Sequence, residues 1–252
     1  MQYLTKDFGQ SEYAYIVPLS DLHIGEEGFD EARFIEFRDW IRDTPNTYAI
    51  LVGDILNCAT KTSKSDIYGE KLNPSEAKRK AISILSPIKE KILASVSGNH
   101  EFRVYRESGN DIAEDLAVML GVPYAREGVL INMKFRPYDT KGAVNYTLYA
   151  THGHGGGGTK GSKTNVLNRM ASIIEADIYI CGHIHFMTTF SDYRFMPDIQ
   201  RGRINRVKHT YVSSAGFLKW GGYAEQMMLP PGKLGAPRIR LSGIKKDFHV
   251  SI

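Results

Sequence analysis

Cysteine is scarce: Cys58 and Cys181 are the only two in 252 residues. Two thiols cannot make the disulfide scaffold of a small secreted domain, so both are expected as buried free thiols in a reducing compartment. No stretch approaches the ~18 consecutive apolar residues of a membrane span. The opening residues, MQYLTKDFGQSEYAYIV, have no basic segment followed by a long apolar one, so no secretory signal is read there. A cytoplasmic protein without a membrane partner is expected. No period of ~20–50 residues recurs, which excludes repeat architectures. A P-loop is missing as well. The segment THGHGGGGTKGSK is rich in glycine but lacks the Gly-x4-Gly-Lys-Ser/Thr spacing.

What is present is ordinary in bulk. A hydrophobic fraction of 42% can bury a sizeable core, and a charged fraction of 24% is that of a globular protein. The net charge of +4 permits a polyanionic ligand without requiring one. No linker divides the chain, so residues 1–252 are expected to form a single domain.

Short apolar runs rich in Ile, Val and Tyr recur: YAYIVPLS, TYAILVG, ILASVS, YTLYAT and DIYICG. They are bounded by turn formers, as buried strands are. Helical patterns lie between several of them. Phe34, Phe37, Trp40 and Ile41 share one face of a helix in DEARFIEFRDWIRDT. Asn73 is an N-cap with Pro74 at the first helical position, and Pro87 is expected to kink or split that helix. Asn110 caps a further helix that stops at Gly121, and KTNVLNRMASIIEA is another. After His185 come strand-like pieces, FMTTFSDYRFM, NRVKHTYVSSAGF and PRIRLSGI. Alternating strands and helices with a β-rich end predict a layered α/β (α+β) fold, with sheets at the core and helices outside. Loops are expected at 60–73, 155–163 and 219–236.

Each of the five runs ends in oxygen or nitrogen ligand types. The ends carry Asp21 and His23; Asp54 and Asn57; Asn99, His100 and Glu101; His152 and His154; and His183 and His185. Ligand sites in open α/β sheets gather at the carboxyl ends of strands. Singly, each piece is weak, because a Gly-Asp after a strand is commonly a turn or a cap. Jointly they are not: six of the eight histidines, all but His209 and His249, fall in these segments. Imidazole with carboxylate and no thiolate suits Mn, Fe, Zn, Ni or Co. There are too many ligands for one ion, and two ions ~3.5–4 Å apart are the arrangement that clamps a phosphoryl group.

Asp21-x-His23, Gly53-Asp54-x-x-Asn57, Gly98-Asn99-His100-Glu101, the His152 segment and Gly182-His183-x-His185 follow one another as they do in the calcineurin-like metallophosphoesterases. The chain resembles a small single-domain member of that superfamily, of the phage or prophage kind. The resemblance implies a two-sheet β-sandwich flanked by helices. It implies that Asp21, His23 and His185 bind one divalent ion, that Asn99, His152 and His183 bind a second, and that Asp54 bridges them. Manganese is the leading ion. It further implies a phosphoesterase whose metal-bridging hydroxide attacks phosphorus. His100 would donate a proton to the leaving oxygen or stabilise charge there. The basic chain directs attention to phosphodiesters, with nucleic acid or a nucleotide as substrate. A phosphomonoesterase or phosphoprotein phosphatase is the alternative, and a non-catalytic metal-binding scaffold subunit a third. A repair nuclease is disfavoured, because only about 65 residues follow His185.

Around the strand ends, Asn57, Arg103, His154 and Lys160 are candidate substrate contacts. Lys163, Tyr105 and Arg106 lie in the same two segments. His154 is also a candidate support for His152. Glu101 either orients its loop by hydrogen bonding or is a solvated turn residue. The alternative for the glycine run is a flexible surface loop. RGRINRVKH is a possible polyanion stripe or a solvated edge strand, and the aromatics of GFLKWGGYAEQMM are candidate packing or oligomer contacts.

Overall fold

A computed structural model describes the chain apart from residues 62, 64–68, 139–141, 222–224 and 226–230. Tyr223, Met227 and Met228 of the late aromatic segment lie outside the described residues, as does part of the 60–73 loop.

Two six-stranded mixed sheets form the centre. The first contains β1 (Gln2–Asp7), β6 (Val129–Phe135), β7 (Val144–Thr151), β8 (Ile178–Cys181), β10 (Arg203–Ser213) and β9 (Thr188–Asp198), in that spatial order. The second contains β12 (Phe248–Ser251), β11 (Arg238–Ser242), β2 (Tyr13–Leu19), β3 (Thr47–Val52), β4 (Ile92–Val96) and β5 (Tyr124–Ala125). β2, β3, β4 and β5 run parallel, as do β7, β8 and β10. Among the described residues, five α-helices complete the order: α1 (Glu31–Asp43), α2 (Pro74–Leu85), α3 (Asn99–Ser108), α4 (Ile112–Leu120) and α5 (Lys160–Met170).

Alternation along the strands assigns each face. Ile16, Ile50 and Val52 point between the sheets, against Ile131, Leu148 and Ile180. Val17, Ala49 and Leu51 point the other way, onto Phe34 and Ile41 of α1 and Ala81 and Leu85 of α2. Tyr149, Tyr179 and Tyr211 face outward from the first sheet onto Val166, Leu167 and Met170 of α5. Near-continuous burial of β3, β4 and β8 is what makes those runs apolar without alternation in sequence.

The helix ends follow their sequence signals except at the start of α4 and at both ends of α5, which stops at Met170 rather than running on to Ala176. Asn73 caps α2 by accepting the Glu76 N–H at 3.0 Å, and the helix passes at Ser86–Lys91 into a 3-10 turn containing Pro87. The cap of α4 is Asp111 rather than Asn110; its carboxylate accepts the Glu114 N–H at 3.2 Å. α5 begins at Lys160, inside the expected 155–163 loop, because the Thr159 hydroxyl accepts the Ser162 N–H. β1, β6 and β12 were not legible as strands. Phe217, one of the candidate packing contacts, is fully buried against Phe34 and Phe37. Both cysteines are free and buried.

Candidate metal centre

β2, β3 and β4 of one sheet and β7 and β8 of the other all end at the same edge of the sandwich. Their five following turns therefore meet there. The turns are unusually tight: Asp21, His23, Asp54, His183 and His185 all have φ between 45° and 64°, a left-handed conformation uncommon for residues with a side chain. Glycine permits the closest approach. A Cβ on Gly98 would overlap the Asp54 carboxylate, and one on Gly53 would lie 2.7 Å from His152 Nδ1.

The side chains converge. His185 Nε2 is 3.3 Å from Asp21 Oδ1 and 3.3 Å from His23 Nε2. His152 Nε2 is 3.2 Å from Asp54 Oδ2 and 3.0 Å from Asn99 Oδ1. His183 Nδ1 lies 2.7 Å from the same Asn99 oxygen. His23 Nε2 and His100 Nε2 stand 4.0 and 3.7 Å from Asp54 Oδ2. Among the described residues, three groups have ligand atoms close enough together to hold an ion: Asp21 with His23 and His185, His23 with Asp54 and His100, and Asp54 with His152 and His183. Asp54 belongs to two of them, the position a bridging carboxylate needs.

The donor set fits divalent metal. Asp21, His23, Asp54 and His152 are almost wholly buried, and while the two carboxylates also accept the His183 and His100 backbone N–H groups, their oxygens and the imidazole Nε2 atoms are turned towards one another. Burial, reinforced by the neighbouring His100, holds His23 well below the usual imidazole range. Burial also takes His183 down to about 4, with His152 adding to the shift. Both rings are therefore neutral, the form that binds metal. His152 is the exception. Burial opposes its charge, but the Asp54 carboxylate prevails and raises it to about 10. Burial would likewise raise Asp54, yet His152 and His100 hold it well below the ordinary carboxyl range. A cation at this place would take over the role of the His152 proton. The thiols take no part: burial pushes Cys181 up to about 12, and its Sγ donates to the carbonyls of His152 and Gly182.

The surrounding hydrogen bonds set ring orientation. Carbonyl oxygens only accept, so His152 Nδ1, 2.8 Å from the Val52 oxygen, carries the proton and leaves Nε2 for a ligand. His100 Nδ1 lies 2.9 Å from the Asn57 carbonyl oxygen, so Nε2 is its working nitrogen. Asn99 and His100 are the first two residues of α3, not a free loop. Glu101 ties that helix to the Asp54 turn. Its buried carboxylate accepts the backbone N–H groups of Asp54 at 3.0 Å, Leu56 at 2.8 Å and Gly98 at 3.0 Å. Loop orientation, not solvated turn, is the role the structure gives it. Burial, then the Asp54 charge, raises its carboxyl to about 7.

The four candidate substrate contacts separate. Asn57 is buried, with its amide engaged by His23 and Glu70, so it stands behind His23 rather than on an open wall. Arg103 is half-buried on α3, and its charge acts on His100. His154 is exposed and lies parallel to the His183 ring, with centroids 6.2 Å apart, rather than beside His152. Lys160 is exposed at the start of α5, 5.9 Å from the Phe186 ring centre. Glu70 escaped the sequence reading. An isolated glutamate in a polar loop carries no local signal, and only the fold brings it to Asn57.

Among the described residues no helix is long and apolar enough to cross a membrane. The family model for calcineurin-like phosphoesterases matches residues 15–187. The curated proteins contain no match. Among solved structures, GAP50, the anchor in the inner membrane complex of Plasmodium, is similar over 95% of this chain and 84% of its own, at 10% identity and a TM-score of 0.51. A predicted phosphoesterase from Streptococcus pneumoniae TIGR4 is 13% identical, covering 95% of this chain and 98% of its own at a TM-score of 0.39. A metallophosphoesterase from Sphaerobacter thermophilus is also 13% identical, covering 95% and 88% at 0.38.

Proposed function

The chain belongs to the calcineurin-like phosphoesterase family, and from that premise we propose that it is a two-metal phosphoesterase acting on phosphodiesters, with nucleic acid or a nucleotide as the substrate class. One observation carries the reading: Asp54 Oδ2 lies between the two proposed ligand sets, 3.2 Å from His152 Nε2 of one and 4.0 Å from His23 Nε2 of the other. Asp21, His23 and His185 would hold one divalent ion, and Asn99, His152 and His183 the other, with manganese as the leading ion. Bound there, the ions would polarise a phosphoryl oxygen and lower the pKa of a coordinated water.

The chain's own groups do the rest. The bond from His100 Nδ1 to the Asn57 carbonyl aims Nε2 into the site. Protonated at Nε2, that ring can hand a proton to a departing alkoxide. Neutral, it has no donor there, so its protonation state sets the leaving-group step. The His100 backbone N–H donates to Asp54 Oδ1 at 2.8 Å, which fixes the spacing between acid and bridging carboxylate. His183 is held to the other half by its own N–H, 3.1 Å from both Asp21 carboxylate oxygens. The net charge of +4, and an Arg103 charge that acts on His100, support an anionic substrate.

The test is hydrolysis of bis-p-nitrophenyl phosphate against p-nitrophenyl phosphate, with Mn²⁺ or with chelator, by wild type and His100→Ala. Chelator-sensitive turnover favouring the diester, sharply reduced in the variant, is the expected result. Preference for the monoester would move the assignment to a phosphomonoesterase. Bound metal with no turnover of either ester would leave a scaffold subunit.

A further inference from the structure

Behind the candidate ligands runs a polar chain with no part in the proposed reaction. His23 Nδ1 is 3.0 Å from Asn57 Oδ1. Asn57 Nδ2 donates to Glu70 Oε1 at 2.5 Å, and the Ala59 N–H donates to the same oxygen at 3.0 Å. The direction of this chain is fixed by its outer end. A carboxylate only accepts, so the end of the Asn57 amide that faces Glu70 must be its NH₂ group. The amide oxygen is then turned to His23, where it too can only accept. Nδ1 of His23 therefore carries the ring proton, and the Nε2 lone pair points towards His185 and Asp54. With the amide reversed, its NH₂ would face His23 Nδ1 and favour the other tautomer, whose protonated Nε2 cannot bind an ion.

The backbone holds Glu70 in place for this. Residues 26 and 70 form an antiparallel bridge, and the Lys71 N–H donates to the Gly25 carbonyl at 2.8 Å. Glu70 and Lys71 are thus clamped to the segment that follows His23. Among the described residues no such side-chain pair stands behind His152, whose tautomer is set by the Val52 backbone. The two halves of the centre differ in this respect: one ring depends on main chain, the other on a glutamate 47 positions along the sequence.

We propose that Glu70 is a positioning residue of the metal centre: through Asn57 it locks His23 in the Nδ1–H tautomer and so reserves His23 Nε2 for the ion shared with Asp21 and His185. The assignment rests on the metal-dependent reading above. A carboxylate that hydrogen-bonds a ligating histidine directly is a common way to orient it; here an amide is interposed between them. The role predicts a local effect. Loss of Glu70 should weaken one ion and spare the other.

The experiment is calorimetric titration with Mn²⁺, and with Co²⁺ followed by its visible absorption, with no substrate present. The proteins are wild type, Glu70→Ala, Glu70→Gln, Asn57→Asp and the double variant Asn57→Asp/Glu70→Gln. Glu70→Ala should weaken one of the two binding events about ten- to a hundredfold, leaving the other nearly unchanged. Glu70→Gln still offers an acceptor oxygen and should bind both ions like wild type. Asn57→Asp sets two carboxylates face to face and should weaken the same event. In the double variant the introduced glutamine can donate to the introduced aspartate, and binding should recover. Wild-type affinity at both positions in Glu70→Ala would overturn the proposal. So would an equal loss at both positions without recovery in the double variant, which is the signature of a merely structural residue. If wild type itself bound no ion, the metal-dependent reading would fall instead.

Discussion

The metal cradle and the flank beside it, residues 153–160, both follow apolar strands and both are rich in glycine and histidine, yet they are built on opposite terms. In the cradle, side chains are buried or half-buried and three are gripped by backbone: Asp54 by the His100 N–H, Asp21 by the His183 N–H, His152 by a carbonyl. On the flank, His154 and Lys160 are exposed, with the His183 and Phe186 rings 6.2 and 5.9 Å away. Chemistry that needs atoms placed to a fraction of an ångström belongs to the first region. The second can offer charge, which acts at a distance and tolerates motion.

Four substitutions test that contrast. The largest effect is expected from Asp54→Ala, which removes the carboxylate common to two ligand groups. Metal binding should collapse, and kcat/KM should fall on the order of a thousandfold or more, since Lewis-acid stabilisation is worth several kcal/mol. His100→Ala should lower kcat by about 10²–10⁴ while calorimetry still finds both ions, because the ring contributes a proton rather than the cradle. If both ions were lost as well, His100 would be a ligand and the division of roles would fail. Glu101→Gln keeps the shape of the side chain but puts an amide NH₂ among three backbone donors. A loss of about 1–3 kcal/mol in stability to urea is expected, with the remaining activity tracking the folded fraction. Smallest is Lys160→Ala. An exposed cation is worth about 0.2–1 kcal/mol, so KM should rise no more than about fivefold with kcat unchanged. An effect as large as that of His100→Ala would place the flank in the machinery and erase the distinction.

The two regions also differ in how far sequence alone revealed them. Asp21, His23, Asp54, Asn99, His152, His183 and His185 could be singled out because each follows an apolar run, and the parallel strands carry all five run ends to one edge. Long-range pairing gave the rest no local trace. β1 sits at a sheet edge, and its alternating exposure leaves too few apolar residues to stand out. β6 alternates buried and half-buried residues, a weaker pattern than the solid runs of β3 or β8. Asn57 looked like a residue facing substrate, since spacing in sequence cannot say which way a side chain turns once a partner such as Glu70 arrives from elsewhere. Lys160 was placed in a loop because the glycines before it conceal the Thr159 cap.

The left-handed turns at the strand ends have a consequence for heredity as well as for chemistry. Asp21, His23, Asp54, His183 and His185 each hold a conformation that costs an L-residue roughly 1 kcal/mol or more, and that glycine adopts freely. A ligand exchanged for glycine would abolish its contact with metal and relax the backbone in one step. His185→Gly should therefore be inactive yet melt slightly above wild type when both are stripped of metal, which differential scanning calorimetry would show. Losing the reaction while keeping the shape is the thermodynamically easy direction for this architecture. A full complement of ligands at five strained positions is a state that selection for turnover would have to keep restoring.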